Sequence, residues 1–280
     1  MRNPLQWFAT VAVALVAGCS NPPYPRGAME SLYPDGKYPA LSTVQVQGRY
    51  VGMAKTTTAP VEAAQAPVLL FIHGSPGDWK AWAHFLKASE LPTFDTRIAV
   101  DRPGFGASGA GQVVPDLRAQ AALLATLIPK GRKAIVIGHS LGGPIAAWMA
   151  VDAPDQVCAA ISLAGSLSSK YEAPRWYNYL ADFALVRWAI PQEMVWSNQE
   201  MMPLSSELEK LEHALPTLHV PLLLLQGGKD TLVDPRTVDE VQAFAPAQWL
   251  SIQRLPDATH FFLWEDPDAV INAIRKLPCA

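Results

Sequence analysis

The stretch Ala134-Ile135-Val136-Ile137-Gly138-His139-Ser140-Leu141-Gly142-Gly143 decides the fold. Four apolar residues read as a buried strand and the Ala-rich run after Gly143 reads as a helix, so Ser140 stands on the turn between them. Such a turn forces its central residue into a strained backbone conformation, and only small neighbours let strand and helix approach closely enough. Gly138 and Gly142, two positions before and two after Ser140, meet that demand. The serine hydroxyl is thereby pushed into the open.

The alternation repeats on either side of this turn. Short apolar runs at Val68 to Ile72, Arg97 to Val100, Ala134 to Ile137, Ala159 to Leu163, Pro221 to Leu225 and Gln248 to Gln253 predict strands. Helical stretches separate or follow them at Trp79 to Ser89, Pro115 to Ile128, Leu141 to Val151, Pro235 to Phe244 and Pro267 to Lys276. That order implies βα units, an α/β class and a mostly parallel sheet flanked by helices. Leu41 to Lys55 alternates β-prone and polar residues about Gly48, which predicts an antiparallel hairpin at a sheet edge.

One stretch breaks the alternation. Ser166 to Leu215 is too long for an αβ connection and carries Tyr171, Trp176, Tyr177, Tyr179, Phe183, Trp188 and Trp196. Leu204, Leu208, Leu211 and Leu215 fall on one helical face, and Ser206 with Glu209 is spaced as a capping box. The stretch predicts a helical cap over the sheet. Its aromatics read either as cap core, the commoner outcome, or as the apolar mouth of a pocket.

The glycine-flanked Ser140 between strand and helix resembles the nucleophile elbow of the α/β-hydrolase superfamily, and the resemblance extends from about Leu41 to Lys276. It implies the α/β-hydrolase fold with Ser140 as nucleophile. It makes His73-Gly74-Ser75-Pro76-Gly77 the loop that shares the oxyanion hole, with the backbone N–H groups of Ser75 and Leu141 as donors. The family order Ser, Asp, His implies Asp230 as the acid, after the Leu222-Leu223-Leu224-Leu225 run, and His260 as the base. Asp234 competes with Asp230 but suits the N-cap of the following helix. Some relatives carry the acid one strand earlier, where Ala164-Gly165-Ser166 offers no carboxylate. His73 reads as a satisfied loop residue, and His139, next to the nucleophile, is expected to point away. Asp101-Arg102-Pro103-Gly104-Phe105-Gly106-Ala107-Ser108 looks like the family's Gly-rich loop near the site mouth, with Arg102 paired locally.

The chain has 280 residues, half of them apolar, and a formal charge of -3. One domain with a substantial core is implied, and no basic stripe exists for nucleic acid to neutralise. Residues 1–18 carry Arg2 and then an apolar run from Leu5 to Ala17, which has signal-peptide length and is too short to span a bilayer well. Val16-Ala17-Gly18-Cys19 resembles the lipobox of bacterial lipoproteins. The resemblance implies a lipidated Cys19 as the first mature residue and, with Ser20 following in a Gram-negative host, anchoring in the outer membrane. Residues 19–40, with prolines at 22, 23, 25, 34 and 39, read as a tether to a hydrolase domain at 41–280 whose cap covers about 166–215. Cys158 and Cys279 remain, either as an exported disulfide pair or as two buried thiols.

The reaction implied is acyl transfer to water through a Ser140–His260–Asp230 triad, failing on the acid side of neutrality as the base is protonated. Relatives with the His-Gly-x-Pro loop include dehalogenases and epoxide hydrolases, but those use an aspartate where Ser140 stands. Carboxylesterase is the default, acting on a small apolar or amphiphilic acyl substrate. Lipases, amidases, carbon–carbon bond hydrolases and cofactor-free haloperoxidases share the triad, and a non-catalytic tethered binding protein is the reading from another class. No cofactor is implied, and no spaced ligand cluster points to a metal.

Overall fold

A computed structural model describes residues 30, 33–34, 36–58, 66–91, 94–277 and 279. Residues 1–18 and Cys19 lie outside the described residues. The strands are β1 (Ala40–Val46), β2 (Arg49–Thr57), β3 (Val68–Ile72), β4 (Thr96–Val100), β5 (Ala134–His139), β6 (Val157–Leu163), β7 (Leu222–Gly227) and β8 (Leu250–Leu255). They form one eight-stranded sheet in the order β1-β2-β4-β3-β5-β6-β7-β8. The β1–β2 hairpin and the β2–β4 pair are antiparallel, and every other pair is parallel. This is the mostly parallel sheet of an α/β-hydrolase fold.

The helices are α1 (Ala83–Lys87), α2 (Leu117–Ala125), α3 (Gly142–Asp152), α4 (Trp176–Ala181), α5 (Ala184–Ala189), α6 (Gln192–Met201), α7 (Leu204–Ala214), α8 (Thr237–Phe244), α9 (Phe262–Glu265) and α10 (Pro267–Arg275). Alternate residues of each central strand feed two cores. Val68, Leu70, Ile72 and Val136 face α2, α3, α7 and α8 on one side. Leu69, Phe71, Ile135 and Ile137 face Trp82, Phe85, Ile271 and Ile274 on the other. Both faces are covered, so β3, β4 and β5 are buried at every position; β3 reads as an unbroken apolar run, while β4 opens on Thr96 and on Arg97, whose guanidinium donates to Phe85 O and Leu91 O.

The chain runs from β3 outward to β4, then returns across β3 to begin β5. The strand order therefore reverses between β3 and β5, and in open parallel sheets the crevice at such a reversal, beyond the strands' carboxyl ends, is where ligands bind. The loop after β3 and the turn after β5 both open there.

Between β6 and β7 the chain forms the cap, α4 to α7. Leu204, Leu208, Leu211 and Leu215 are all buried against the sheet layer, which fixes α7 to the body. The Ser206–Glu209 capping box does not form: α7 begins two residues earlier, after Pro203, and the Ser206 hydroxyl donates to Pro203 O at 2.8 Å. A helix already under way at residue 206 has no free amide there for a serine to cap.

The second attachment is a buried ion pair. Arg102 on the β4 loop meets Glu200 on α6, with Nη1–Oε1 at 2.6 Å and Nη2–Oε2 at 2.9 Å, both side chains wholly shielded from solvent. Arg102 therefore does not pair locally; its carboxylate lies 98 residues on. The remaining guanidinium donors reach His73 O (3.0 Å), Gly74 O (3.0 Å) and Gln120 Oε1 (3.1 Å), so this charge is both neutralised and fully hydrogen-bonded. A buried pair persists only under those conditions.

Cys158 and Cys279 form a disulfide with their Cα atoms 6.0 Å apart, tying β6 to the end of the chain. The segment read as tether already belongs to the body at Tyr33, which is buried and donates from Oη to Ala83 O at 2.7 Å.

Truncating Glu200 leaves Arg102 buried and unpaired, which costs about 3–5 kcal/mol. Glu200→Ala should therefore lower stability by that amount in urea unfolding monitored by circular dichroism. A loss below about 1 kcal/mol would show the pair to be dispensable.

Candidate active site

Ser140 closes β5 with φ at +52°, a conformation costly for any residue with a side chain. Its N–H bonds Leu163 O on the neighbouring strand and its carbonyl accepts from Gly143 N, each at 2.9 Å, so backbone pairing on both sides holds the strained turn. The glycines are required by contact. A Cβ on Gly138 would collide with the Gly142 carbonyl, and one on Gly142 would collide with Ile72 O of β3. These absences let α3 start against the end of β3, and the whole of α3 up to Ala150 is buried.

The β3 loop lies against this turn. A Cβ on Gly74 would stand 2.9 Å from Ser140 Cβ. Among the described residues, the backbone N–H groups of Ser75 and Leu141 donate no hydrogen bond to the protein. Leu141 also caps the N-terminus of α3, where the helix dipole favours negative charge. The Ser75 side chain is turned toward the cap: its hydroxyl donates to Glu200 Oε2 at 2.6 Å and lies 3.0 Å from Ser197 Oγ. Glu200 thus grips the loop twice, through Ser75 and through Arg102.

Asp230 follows β7 and His260 follows β8, and the two meet with Nδ1 2.8 Å from Oδ2, both residues buried. Asp230 Oδ2 also accepts from Gln226 Nε2 at 3.1 Å, while Oδ1 accepts the N–H groups of Leu232 and Val233, each at 2.9 Å. Burial pushes this carboxyl's pKa up, but the His260 hydrogen bond and the two amides outweigh it and hold the pKa below the usual carboxylate value. A carboxylate accepting from Nδ1 fixes the tautomer that leaves His260 Nε2 without a proton. Asp234 is turned aside and paired with Arg236 at 2.6 Å. It receives Arg236 N–H at 2.9 Å, but Arg236 itself is the N-cap of α8 and no side chain caps that helix, so Asp234 does not take the capping role expected of it.

His139 does not point away. Its Nε2 lies 3.0 Å from His260 O, its ring centroid is 4.9 Å from that of His260, and Trp264 packs on it edge-on at 5.2 Å. Burial, and next the neighbouring His260, lower its pKa to about 3, so it is a neutral donor to the His260 carbonyl. It therefore joins the Ser140 turn to the His260 loop. His73 is a satisfied loop residue as expected: Nδ1 lies 2.6 Å from Gly74 O and Nε2 accepts Arg102 N–H at 2.9 Å. Burial and the Arg102 charge hold its pKa well below the usual value, which rules it out as a ready base.

Sequence reading missed Glu200, Gln226 and Glu172. Glu200 and Glu172 sit in cap helices or loops that carry no motif, and Gln226 lies in β7, four residues before the acid it faces, where no local pattern marks it. Glu172, at the foot of the cap, has one buried carboxylate oxygen without a partner among the described residues. Burial raises its pKa to about 7, with Asp230 and Asp234 adding repulsion against a hydrogen bond from Ser166 and the charge of Arg175. No group of three or more metal-ligating side chains occurs among the described residues.

Because Glu172 binds its proton more tightly folded than unfolded, its ionisation erodes stability as pH rises from about 4.5 to about 7. Glu172→Gln should abolish that part of the decline in thermal-melt series across this window. Parallel wild-type and mutant profiles would contradict the assignment.

Residues 69–273 match the model of the alpha/beta hydrolase family. The chain is 27% identical over 256 residues to the biotin biosynthesis bifunctional protein BioHC of Teredinibacter turnerae, covering 75% of this chain and 44% of that one. It is 33% identical over 110 residues to the pimeloyl-[acyl-carrier protein] methyl ester esterase of Vibrio campbellii, covering 39% and 41%. The chain thus spans less than half the length of these curated relatives. Among solved structures, a membrane phospholipase A described as a bacterial virulence factor superposes with a TM-score of 0.64 at 19% identity, over 98% of this chain and 95% of that one. A likeness at that identity concerns the fold alone. The family match covers most of the chain and carries the elbow, the β3 loop and both later loops: the chain belongs to the alpha/beta hydrolase family.

Proposed function

We propose that the chain is a serine esterase in which Ser140 attacks a carboxylic ester. The observation that carries this reading is the buried Asp230–His260 pair, whose His260 carbonyl is held by His139, the residue next to a serine at positive φ. His260 Nε2 takes the Ser140 proton as Oγ bonds to the carbonyl carbon. The Ser75 and Leu141 amides receive the developing oxyanion, where each fixed donor contributes about 3–4 kcal/mol to the transition state. His260 then hands the proton to the departing alkoxide, which leaves as an alcohol. Water attacks the acyl-serine, giving its proton to His260, and the carboxylic acid leaves as Ser140 is restored. Asp230 holds the imidazole and stabilises its charged form throughout.

Ester cleavage is favoured over the amidase reading because a shared-family relative is named as a methyl ester esterase. The substrate is an apolar or amphiphilic acyl ester, and no step calls for a cofactor. We place the protein outside the cytoplasm, tethered through a lipidated Cys19. The Cys158–Cys279 disulfide supports an oxidising compartment, where such bonds persist.

Ser140→Ala and His260→Ala should each lower kcat on a short aryl ester by about 10⁴-fold or more, and Asp230→Asn by about 10⁴-fold, with folding intact by circular dichroism. Undiminished turnover in a folded Ser140→Ala protein would exclude the mechanism. Mass spectrometry of the purified protein should find Cys19 as an acylated first residue; a chain beginning at an unmodified Met1 would exclude the anchor.

A further inference from the structure

The outer layer of the cap is built the wrong way round for a protein surrounded by water. In α4, Trp176, Tyr179 and Leu180 recur at the three- and four-residue spacing that puts them on one helical face, and that face is exposed, at 64%, 54% and 44%. Phe183 between the helices is 63% exposed, and Leu185 and Trp188 of α5 are 79% and 84% exposed. Neither helix contains a buried residue. Their apolar side chains therefore do not form the cap core, the commoner of the two outcomes that their spacing allowed. The layer beneath supplies the anchorage: Asn198 of α6 bonds the Asn178 side chain (2.8 Å) and carbonyl (3.0 Å) and the Asp182 carboxylate (3.1 Å).

A contiguous exposed patch of large apolar residues marks an interaction surface, and its composition narrows the partner. Tryptophan and tyrosine with a cation at the rim suit the boundary between lipid headgroups and acyl chains. Arg187 supplies that cation; it is exposed on the last turn of α5 and makes no ion pair among the described residues. Asp182 is the carboxylate within this layer, and it is turned down onto Asn198.

The start of the described chain sets the reach of the anchor. Tyr33 is docked on Ala83 at the start of α1, which packs on β2 and β4, while the cap leaves the sheet between β6 and β7. From Cys19 to Tyr33 the chain reaches at most about 50 Å, roughly one domain diameter. A lipid on Cys19 would therefore keep the whole domain, its cap included, within reach of the bilayer.

We propose that the outer face of α4 and α5 docks on the bilayer surface, with Trp176, Tyr179, Phe183, Leu185 and Trp188 at the headgroup–acyl boundary and Arg187 on lipid phosphate. The proposal rests on the reading that Cys19 tethers the chain, and it deepens the esterase reading by making the membrane the source of the acyl ester. Docking sets the cap that covers Ser140 against the phase that holds the substrate.

The test uses the full chain reconstituted in vesicles of phosphatidylethanolamine and phosphatidylglycerol, with and without brominated phosphatidylcholine as a quencher of tryptophan. Wild type should be quenched by the brominated lipid. Trp176→Phe/Trp188→Phe should lose most of that quenching, because these two of the eight tryptophans that follow Cys19 are its source. Phe183→Gln/Leu185→Gln, which keeps both reporters, should reduce quenching at least twofold and slow hydrolysis of a vesicle-borne long-chain ester at least fivefold. Hydrolysis of a soluble aryl ester should stay within twofold in every variant. Quenching that survives the double Trp replacement would overturn the proposal. So would an unquenched wild type whose patch cross-links to a second copy of the chain. Soluble-ester turnover and the mass of Cys19, measured on the same samples, report the esterase and anchor readings separately, so their failure is distinguishable from failure of docking.

Discussion

Everything at the candidate site depends on one close approach, that of the turn after β5 to the end of β3. The two strands are parallel neighbours, and three glycines remove the side chains that would keep their ends apart: Gly138 against Gly142, Gly142 against Ile72 O, and Gly74 against Ser140. The approach forces Ser140 to positive φ, starts α3 at Gly142 and lays the Ser75 loop beside the serine. Strain at Ser140 is sustained because the strands, pinned by two apolar cores, leave the turn no relaxed alternative.

The other half of the site arrives from chain far downstream and is fixed by hydrogen bonds rather than by close packing. Asp230 takes two backbone amides and Gln226, which leaves one favourable direction for His260. His139, the residue before Ser140, then ties the His260 carbonyl to the Ser140 turn. Above both halves, Glu200 links the cap to the β3 loop through Arg102 and Ser75. The placement of the cap and the placement of the two unpaired amides are thereby one structural problem, solved by one buried carboxylate.

How much of this was legible in the sequence follows from the range of the interactions. The central strands were readable to within about two residues, because burial on both faces writes an uninterrupted apolar run, as in Val68–Ile72. The elbow was readable because its demands fall within five consecutive residues. Asp230 and His260 were legible only through family order, since nothing local distinguishes His260 from a structural histidine. Arg102 was misjudged because its partner lies in the cap, and His139 because a residue beside the nucleophile was expected to face outward. The cap aromatics show the limit most plainly. Helical spacing identifies a face but not what lies opposite it: Leu204, Leu208, Leu211 and Leu215 share a face that turns inward, while Trp176, Tyr179 and Trp188 carry the same signal and face out. The disulfide stayed open because distance through space between Cys158 and Cys279 is not written in their 121-residue separation.

The account stands on a covalent event at Ser140, and the most direct measurement is to catch it. Turnover of an aryl ester is quenched in acid within milliseconds, the protein is digested, and the peptide containing residues 138–143 is weighed. The account predicts that this peptide gains the mass of the acyl group less one proton, with fragmentation placing it on Ser140, and that one equivalent of the aryl alcohol appears in the same interval. An unmodified Ser140 during steady turnover, or an acyl group found on another residue, would contradict it.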